Sequence, residues 1–143
     1  MMKTLLIRPP EREGQYSGLP LGIGYIAAVL KKNGYAAQIY DAMGDSPARV
    51  RERIALENPD VAGISNQFSP QFEDVISTAA AVKDINRNCL VIVGGSHPSS
   101  CPADFFEKTG GVDIVVIGEG DYTMLELLER ISGGRPWQDV AGI

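Results

Sequence analysis

Short apolar runs alternate along the chain with longer segments in which apolar residues recur every three or four positions. Continuous apolar runs are typical of strands buried on both faces of a sheet, and the wider spacing is typical of helices with one buried face. The runs that predict strands are "TLLI", "AAQIYDA", "DVAGIS", "CLVIVGG" and "VDIVVIGEG". We therefore predict an α/β fold: a three-layer α/β/α sandwich around a five-stranded parallel sheet, with the flavodoxin-like strand order 2-1-3-4-5.

Cap and turn residues indicate where the helices begin. Ser46-Pro47 places a capping hydroxyl before a proline at the first helical position, and Ser69-Pro70 repeats this signal. Between the fourth and fifth strands we expect the loop "SHPSSCP" and then a short helix, "ADFFEK".

The chain does not finish like a domain. We expect its last helix over residues 122–131, with Asp121 as the cap and Gly133-Gly134 as the stop. In the tail "GGRPWQDVAGI" an apolar pattern then begins and stops abruptly. We therefore predict one domain over residues 1–134, with residues 135–143 starting a linker to a further C-terminal domain.

The balance of charge narrows the class of protein. Among 143 residues, 13 are Lys or Arg and 18 are Asp or Glu, and the net charge of −5 argues against nucleic acid, whose phosphates need a basic face. No apolar run is long enough to span a bilayer, and the N-terminal run is too short for a secretion signal. Cys89 and Cys101 match no zinc or redox spacing, so we expect two free thiols in a cytoplasmic domain.

Parallel α/β sheets bind ligands beyond the carboxyl ends of their strands, so the loops after the strands are candidate sites. The first loop, "RPPEREGQYSGLPLG", is long and contains neither GxGxxG nor GxxxxGK[ST], which excludes the usual dinucleotide and triphosphate cradles. It is either plain surface or a cover for a large flat ligand. After the third strand, "SNQFSP" is either an ordinary turn or a set of small polar contacts.

The loop after the fourth strand, "GGSHPSS", carries more information. Gly94 and Gly95 let a bulky ligand approach the backbone, although a tight turn uses such glycines too. His97, the single histidine of the chain, follows them. After the fifth strand, "GEGD" offers Glu119 and Asp121 as an acidic pair without an evident catalytic partner.

Four of these segments, taken in order, resemble the cobalamin-binding N-terminal domain of class B radical S-adenosylmethionine enzymes. They are "RPP…LPLGIGYIAAVLKKNGY", "NPDVAGIS", "VGGSHPSSCPADFF" and "VVIGEGDYTMLELL". The resemblance covers residues 5–131. Within that family, the nearest kind includes anaerobic magnesium-protoporphyrin IX monomethyl ester cyclases and cobalamin-dependent radical methyltransferases.

The resemblance implies a domain that holds cobalamin across the strand ends, with the nucleotide tail beside the strand-four glycines and the first and fifth loops facing the corrin ring. The implied cofactor-binding residues are Tyr16, Ser17, Gly18, Leu19, Pro20, Ser65, Asn66, Gln67, Gly94, Gly95, Ser96, His97, Pro98, Gly118, Glu119 and Gly120.

The first loop lacks the DxHxxG motif through which other cobalamin proteins ligate cobalt. The resemblance therefore implies base-off cobalamin without a histidine ligand from the protein. Lower axial contact would come from Tyr16, Leu19 or water, and His97 would hydrogen-bond the nucleotide tail or a corrin amide.

The Cys-x3-Cys-x2-Cys motif of radical enzymes is also missing from the sequence. The resemblance implies that S-adenosylmethionine and a [4Fe–4S] cluster bind to a C-terminal radical domain of the same parent chain, the expected partner. This piece would then bind cofactor without catalysing a reaction alone, and the parent would perform methyl transfer or oxidative cyclisation. Two alternatives stay open: a small hydrolase or nucleotide-sugar enzyme using His97, Glu119 and Asp121, and a ligand-free receiver-like interaction module.

Overall fold

The computed structural model describes residues 1–11, 18–107 and 111–143. The strands are β1 (Thr4–Arg8), β2 (Ala37–Asp41), β3 (Val61–Ser65), β4 (Leu90–Gly94) and β5 (Ile114–Val115). The helices are α1 (Leu21–Lys32), α2 (Pro47–Glu57), α3 (Phe72–Ile85), α4 (Ser96–Ser100), α5 (Asp104–Glu107) and α6 (Asp121–Ser132), with a 3₁₀ turn over Ser69–Gln71. Within these described residues, no helix combines the length and apolarity that crossing a bilayer requires.

In the described part of the chain, five strands form one parallel sheet in the order β2-β1-β3-β4-β5. This confirms the predicted fold class and strand order. Side chains alternate between the faces of a strand, and on β1 Leu5 and Ile7 join one apolar core while Leu6 joins the other. Helices α2, α3 and α5 cover the first face, and α1 and α6 cover the second. We call these the α2/α3 face and the α1/α6 face.

The predicted start signal of α2 holds in the structure, and a glycine ends α1. Ser46 caps α2, because its Oγ accepts a hydrogen bond from the N–H of Arg49 (3.3 Å), and Pro47 takes the first helical position. Helix α1 ends at Lys32 with Asn33 as its C-cap, and Gly34 follows with a φ of +84°. This left-handed conformation strains residues that carry a Cβ, which explains the glycine.

Two predicted helix caps are wrong. Ser69 does not cap α3, which begins at Phe72; Ser69 instead starts the 3₁₀ turn, and its hydroxyl is hydrogen-bonded to Nδ1 of His97 (2.8 Å). Asp121 is the first residue of α6, and Gly120 precedes it as the N-cap. A capping side chain expresses only a local preference, and at Ser69 a partner distant in sequence takes the hydroxyl.

The predicted loop after β4 contains a short helix. The segment Ser96–Ser100 forms α4, although serine and proline are poor helix formers. The hydroxyls of Ser99 and Ser100 donate to the carbonyls four residues earlier, at 2.7 and 3.1 Å. These side-chain bonds stabilise a turn of helix that residue preference alone does not predict.

The fifth strand is shorter than predicted. Its two residues, Ile114 and Val115, pair with β4, and the N–H of Val116 still donates to the carbonyl of Val93 (2.8 Å). At Ile117 the chain no longer pairs with β4. The N–H of Ile117 donates instead to the carbonyl of Gly142 (2.8 Å), close to the last residue of the sequence.

Candidate functional site

A cleft of about 510 Å³ opens at the carboxyl ends of the strands on the α1/α6 face. Apolar side chains of the sheet form part of its wall, and the first turns of α1 and α6 border it. The lining residues are Leu6, Gly22, Ile23, Ile26, Gly63, Ile64, Ser65, Gln67, Ile92, Gly94, Gly95, Ser96, Ser99, Ser100, Val116, Gly118, Glu119, Gly120, Asp121 and Met124. This is the place where parallel α/β sheets bind ligands.

Two glycines in the sheet shape the cleft, Gly63 at its bottom and Gly94 at its side. A Cβ on Gly63 would lie 2.8 Å from Cδ2 of Leu6 and 3.3 Å from Cε of Met124, so a glycine lets these two side chains close the bottom of the cleft. A Cβ on Gly94 would make an ordinary contact of 3.6 Å with Cβ of Val116. Alanine therefore fits at Gly94, whereas a longer side chain there would occupy space that the cleft now provides.

Gly95 has a different role although it is adjacent. Its φ is +125°, and a Cβ on it would lie 2.8 Å from the carbonyl carbon of Asn66. The N–H of Asn66 donates to the carbonyl of Gly94 (2.8 Å), and the N–H of His97 donates to the carbonyl of Asn66 (3.3 Å). Gly95 is thus required where the segments after β3 and β4 meet, independently of any ligand.

Ser99 fixes one wall of the cleft. Its hydroxyl donates to the carbonyl of Gly95 (2.7 Å) and accepts from the N–H of Gly118 (3.0 Å). These bonds tie α4 to the turn between β5 and α6. The turn carries Glu119, which is exposed at the cleft.

The two long helices that border the cleft start without a side-chain cap among the described residues. Their N-caps are Pro20 for α1 and Gly120 for α6. The first N–H groups of a helix carry partial positive charge and need acceptors. Gly22 and Asp121 lie in these first turns and line the cleft. Acceptor atoms of a ligand can therefore replace the missing caps, more readily at α1, whose first turn has no acidic residue.

A smaller recess of about 260 Å³ adjoins the cleft and shares Gly22, Ile23, Ser65 and Gln67 with it. Arg8 lines this recess and is almost fully buried. Its Nε donates to Oδ1 of Asp41 (2.8 Å), and another guanidinium N–H donates to the carbonyl of Gly18. Arg8 thereby holds the backbone just before α1 in place.

The structure brings only some of the predicted binding residues together. Those that line the cleft are Ser65, Gln67, Gly94, Gly95, Ser96, Gly118, Glu119 and Gly120. Leu19 and Pro20 line the smaller recess, and Gly18 contacts Arg8. Tyr16 and Ser17 lie outside the described residues.

His97 lies on the α2/α3 face. Its ring packs between Phe72 and Phe105, with ring centroids 5.5 and 5.6 Å away. Nδ1 is hydrogen-bonded to Oγ of Ser69 (2.8 Å), and the buried Nε2 stands 3.6 Å from the carboxylate of Asp104, too far for a hydrogen bond. The histidine thus joins α4 to the 3₁₀ turn before α3.

Asn66 and Pro98 are buried and line neither recess. The side-chain amide of Asn66 donates to the carbonyl of Phe68 (2.7 Å) and so shapes the segment after β3. Both residues support the site from behind its surface.

The three groups of the catalytic alternative do not converge among the described residues. Glu119 and Asp121 line the cleft, whereas the ring of His97 contacts the core of the opposite face. The strand ends also border a cleft of about 510 Å³, whereas a ligand-free receiver-like module would favour a shallow surface there.

Sequence reasoning missed the residues that shape the cleft from below and from the helix side. Gly63 sits inside the strand run "VAGIS", and Gly22 sits at the start of the helix run "LGIG". The available signal was a glycine inside an otherwise apolar element, which often marks a close approach. The apolar lining, such as Leu6 and Ile92, cannot be told from ordinary core by its pattern.

The described part of the chain contains no cluster of metal-ligating side chains. Among residues 1–11, 18–107 and 111–143, no three His, Cys, Asp or Glu side chains come together as a metal site. Burial raises the pKa of the Cys89 thiol to about 12, which keeps it protonated and a poor ligand. Cys89 and the exposed Cys101 are both free, as predicted.

Comparisons with known proteins extend these observations. The B12 binding domain family matches residues 12–128. The uncharacterized methyltransferase PH0819 of Pyrococcus horikoshii is 30% identical over 150 residues, covering 100% of this chain and 32% of that protein. The anaerobic magnesium-protoporphyrin IX monomethyl ester cyclase of Rubrivivax gelatinosus is 30% identical over 141 residues, covering 94% of this chain and 25% of the cyclase. The chain thus spans about a third or less of the length of these relatives.

A solved structure shows the same fold. The radical S-adenosylmethionine methyltransferase TsrM from Kitasatospora setae, solved with cobalamin and a [4Fe–4S] cluster bound, superimposes with a TM-score of 0.84 at 19% identity. The match covers 99% of this chain and 28% of TsrM.

Proposed function

Since the chain belongs to the B12 binding domain family, we propose that it binds cobalamin at the carboxyl ends of its strands. The nucleotide tail of the cofactor occupies the cleft between the sheet and the starts of α1 and α6. When bound, cobalamin supplies a cobalt ion that carries or transfers groups which protein side chains cannot. The chain holds the tail, orients the ring and keeps water from the cleft.

The make-up of the cleft is the observation that carries this proposal. The dimethylbenzimidazole base of the tail is flat and apolar, and the apolar side chains of Ile92 and Val116 beside Gly94 offer a slot for such a group. The ribose and phosphate that follow are polar. Hydroxyls of Ser65 and Ser96 line the same cleft and can hydrogen-bond to them.

Cobalamin held in this way is base-off and receives no imidazole from the chain. The sequence contains one histidine, and its ring is enclosed by Phe72 and Phe105 on the face away from the cleft. Because His97 lies away from the cleft, Tyr16 or Leu19 of the first loop, or water, would make the lower axial contact.

The parent reaction is methyl transfer or oxidative cyclisation. In this proposal a longer protein contains this domain and a C-terminal radical domain, which binds S-adenosylmethionine and the [4Fe–4S] cluster. The methyltransferase and cyclase relatives, both much longer than this chain, support the proposal.

A binding experiment with a spectroscopic readout tests the function. The purified chain is mixed with hydroxocobalamin, desalted and reduced to Co(II), and its absorbance and electron paramagnetic resonance spectra are recorded. Retained cofactor without superhyperfine splitting from an axial nitrogen is the expected result. Splitting from an axial nitrogen overturns the base-off state, and loss of the cofactor on desalting overturns cobalamin binding by this chain.

Gly94→Leu tests the place of binding. The longer side chain fills the cleft, and we expect the affinity for hydroxocobalamin to fall by about 100-fold or more. Gly24→Leu is the matched control, because Gly24 on α1 has open space around it and does not line the cleft. Equal affinity in the two variants would place the cofactor elsewhere.

A further inference from the structure

The segment after α6 folds back and packs beside the cleft. Val140 is buried, with 4% of its surface exposed, in the same apolar cluster as Ile92, Val116 and Met124. These three members of the cluster line the cleft. Trp137 packs against the cluster from its edge. The segment 137–143 is therefore anchored by Val140, Trp137 and Ile143 to the core that supports the cleft, while the residues between them are exposed.

Contacts with α6 fix the path of this segment. The guanidinium of Arg130 donates to the carboxylate of Asp139 (2.7 Å) and to the carbonyl of Pro136 (3.1 Å). Gly142 then turns with a φ of +85°, and a Cβ on it would lie 3.2 Å from Oγ1 of Thr123. The close return of the chain over α6 thus uses a glycine where another residue would be strained.

The short fifth strand gives this segment an effect on the cleft. The N–H of Ile117 donates to the carbonyl of Gly142 (2.8 Å). The next N–H, of Gly118, donates to the hydroxyl of Ser99 (3.0 Å). The N–H groups of two consecutive residues are therefore held by two different elements. The returning segment holds that of Ile117, and α4 holds that of Gly118. Residues 118–121, which follow at once, line the cleft.

We propose that residues 137–143 form a latch that positions residues 118–121 and thereby completes one wall of the cofactor cleft. The proposal rests on the proposed function, because it concerns the same cleft. Val140 and Gly142 are positioning residues, since both act through Ile117 and its neighbours and neither lines the cleft. A segment predicted to start a linker then contributes directly to cofactor affinity.

Val140→Ala tests the latch, and Val50→Ala is its matched control. Val50 is equally buried, at 3% exposed, but lies on α2 against the opposite face of the sheet. Both substitutions remove the same atoms from a core, so both destabilise the chain by similar amounts. Only Val140→Ala is expected to weaken hydroxocobalamin binding, by about tenfold, because it alone loosens the cleft wall. Val140→Ile, which keeps the apolar contact, should bind hydroxocobalamin with the affinity of the unsubstituted chain.

Amide hydrogen exchange provides a readout that does not depend on the cofactor. In Val140→Ala the N–H groups of Ile117 and Gly118 should exchange faster than in Val50→Ala at equal global stability. Equal affinities in the two variants, or unchanged exchange at these two groups, overturn the latch. If the unsubstituted chain does not bind hydroxocobalamin, the proposed function fails, and exchange alone decides whether the latch positions the turn.

Discussion

At the carboxyl ends of the strands, the two faces of the sheet are filled in opposite ways. On the α2/α3 face, Phe72, His97 and Phe105 pack ring against ring, with centroids 5.1 to 5.6 Å apart. On the α1/α6 face, Gly94 carries no side chain and a cleft of about 510 Å³ remains. Aromatic packing closes one face, and glycine leaves the other open.

Close packing and open space are therefore divided between the two faces of one sheet. Aromatic contacts stabilise a core by roughly 0.5–1.5 kcal/mol per pair beyond the burial of their surface. An open cleft forgoes such contacts. The adjacent residues Gly94 and Gly95 differ in the same way. Gly94 keeps the cleft open, whereas Gly95 allows the backbone to pack closely against Asn66. Substitutions on the two faces should therefore separate stability from affinity.

The largest effect on stability is expected on the α2/α3 face, the face that aromatic packing closes. Phe105 is fully buried between Phe72 and His97, so Phe105→Ala should lower the free energy of unfolding by about 3–5 kcal/mol. Urea denaturation measures this loss. The folded fraction should still bind hydroxocobalamin with its original affinity, because the aromatic group does not line the cleft. A large loss of affinity with little loss of stability would contradict the division between faces.

Gly95→Ala should have the next largest effect. The new Cβ would press on the carbonyl of Asn66 and strain a φ of +125°, so the free energy of unfolding should fall by about 2 kcal/mol. Gly94→Ala serves as the control, since its Cβ finds only an ordinary contact with Val116. Thermal or urea unfolding of the two variants compares adjacent glycines directly. Equal stability in both would mean that the close approach at Gly95 relaxes without cost.

The strands and most helices could be predicted from the sequence because their causes are local. Runs such as "TLLI" and "DVAGIS" are apolar enough to be buried on both faces, and both form strands. Ser46 caps α2 through a bond to a residue three positions away. Patterns of this range are visible in a linear sequence.

The predictions that the structure contradicts concern residues whose hydrogen-bond partners are distant in sequence. The fifth strand stops at Val115, and Ile117 bonds instead to Gly142, which no local pattern reveals. Ser69 has the sequence of a cap but bonds His97, 28 positions away. The sequence singles out the two glycines after β4, yet the different neighbours that each meets are a property of the fold.

A smaller effect is expected at the third aromatic of the closed face. His97→Ala removes one hydrogen bond to Ser69 and two ring contacts, so the free energy of unfolding should fall by about 1–2 kcal/mol. Hydroxocobalamin affinity should stay within about twofold and the Co(II) spectrum should not change. Binding titration and paramagnetic resonance check both points. A changed axial signal would show that the histidine reaches the cofactor.

The smallest effect should come from Cys89, which is buried in the core of the closed face. Burial raises the pKa of its thiol from 9.0 to about 12. Above pH 9 the unfolded chain loses this proton while the folded chain keeps it, so stability falls as pH rises. Between pH 8 and pH 10 the contribution lost is about 1 kcal/mol.

Urea denaturation of the unsubstituted chain and of Cys89→Ala at the two pH values isolates this contribution. The difference in unfolding free energy between the two proteins should shrink by about 1 kcal/mol on going from pH 8 to pH 10. Cys101 provides the internal comparison, because it is exposed and a thiol reagent should modify it in the folded chain while Cys89 stays protected. Rapid modification of Cys89 under native conditions would mean that the α2/α3 face opens as readily as the face that holds the cleft.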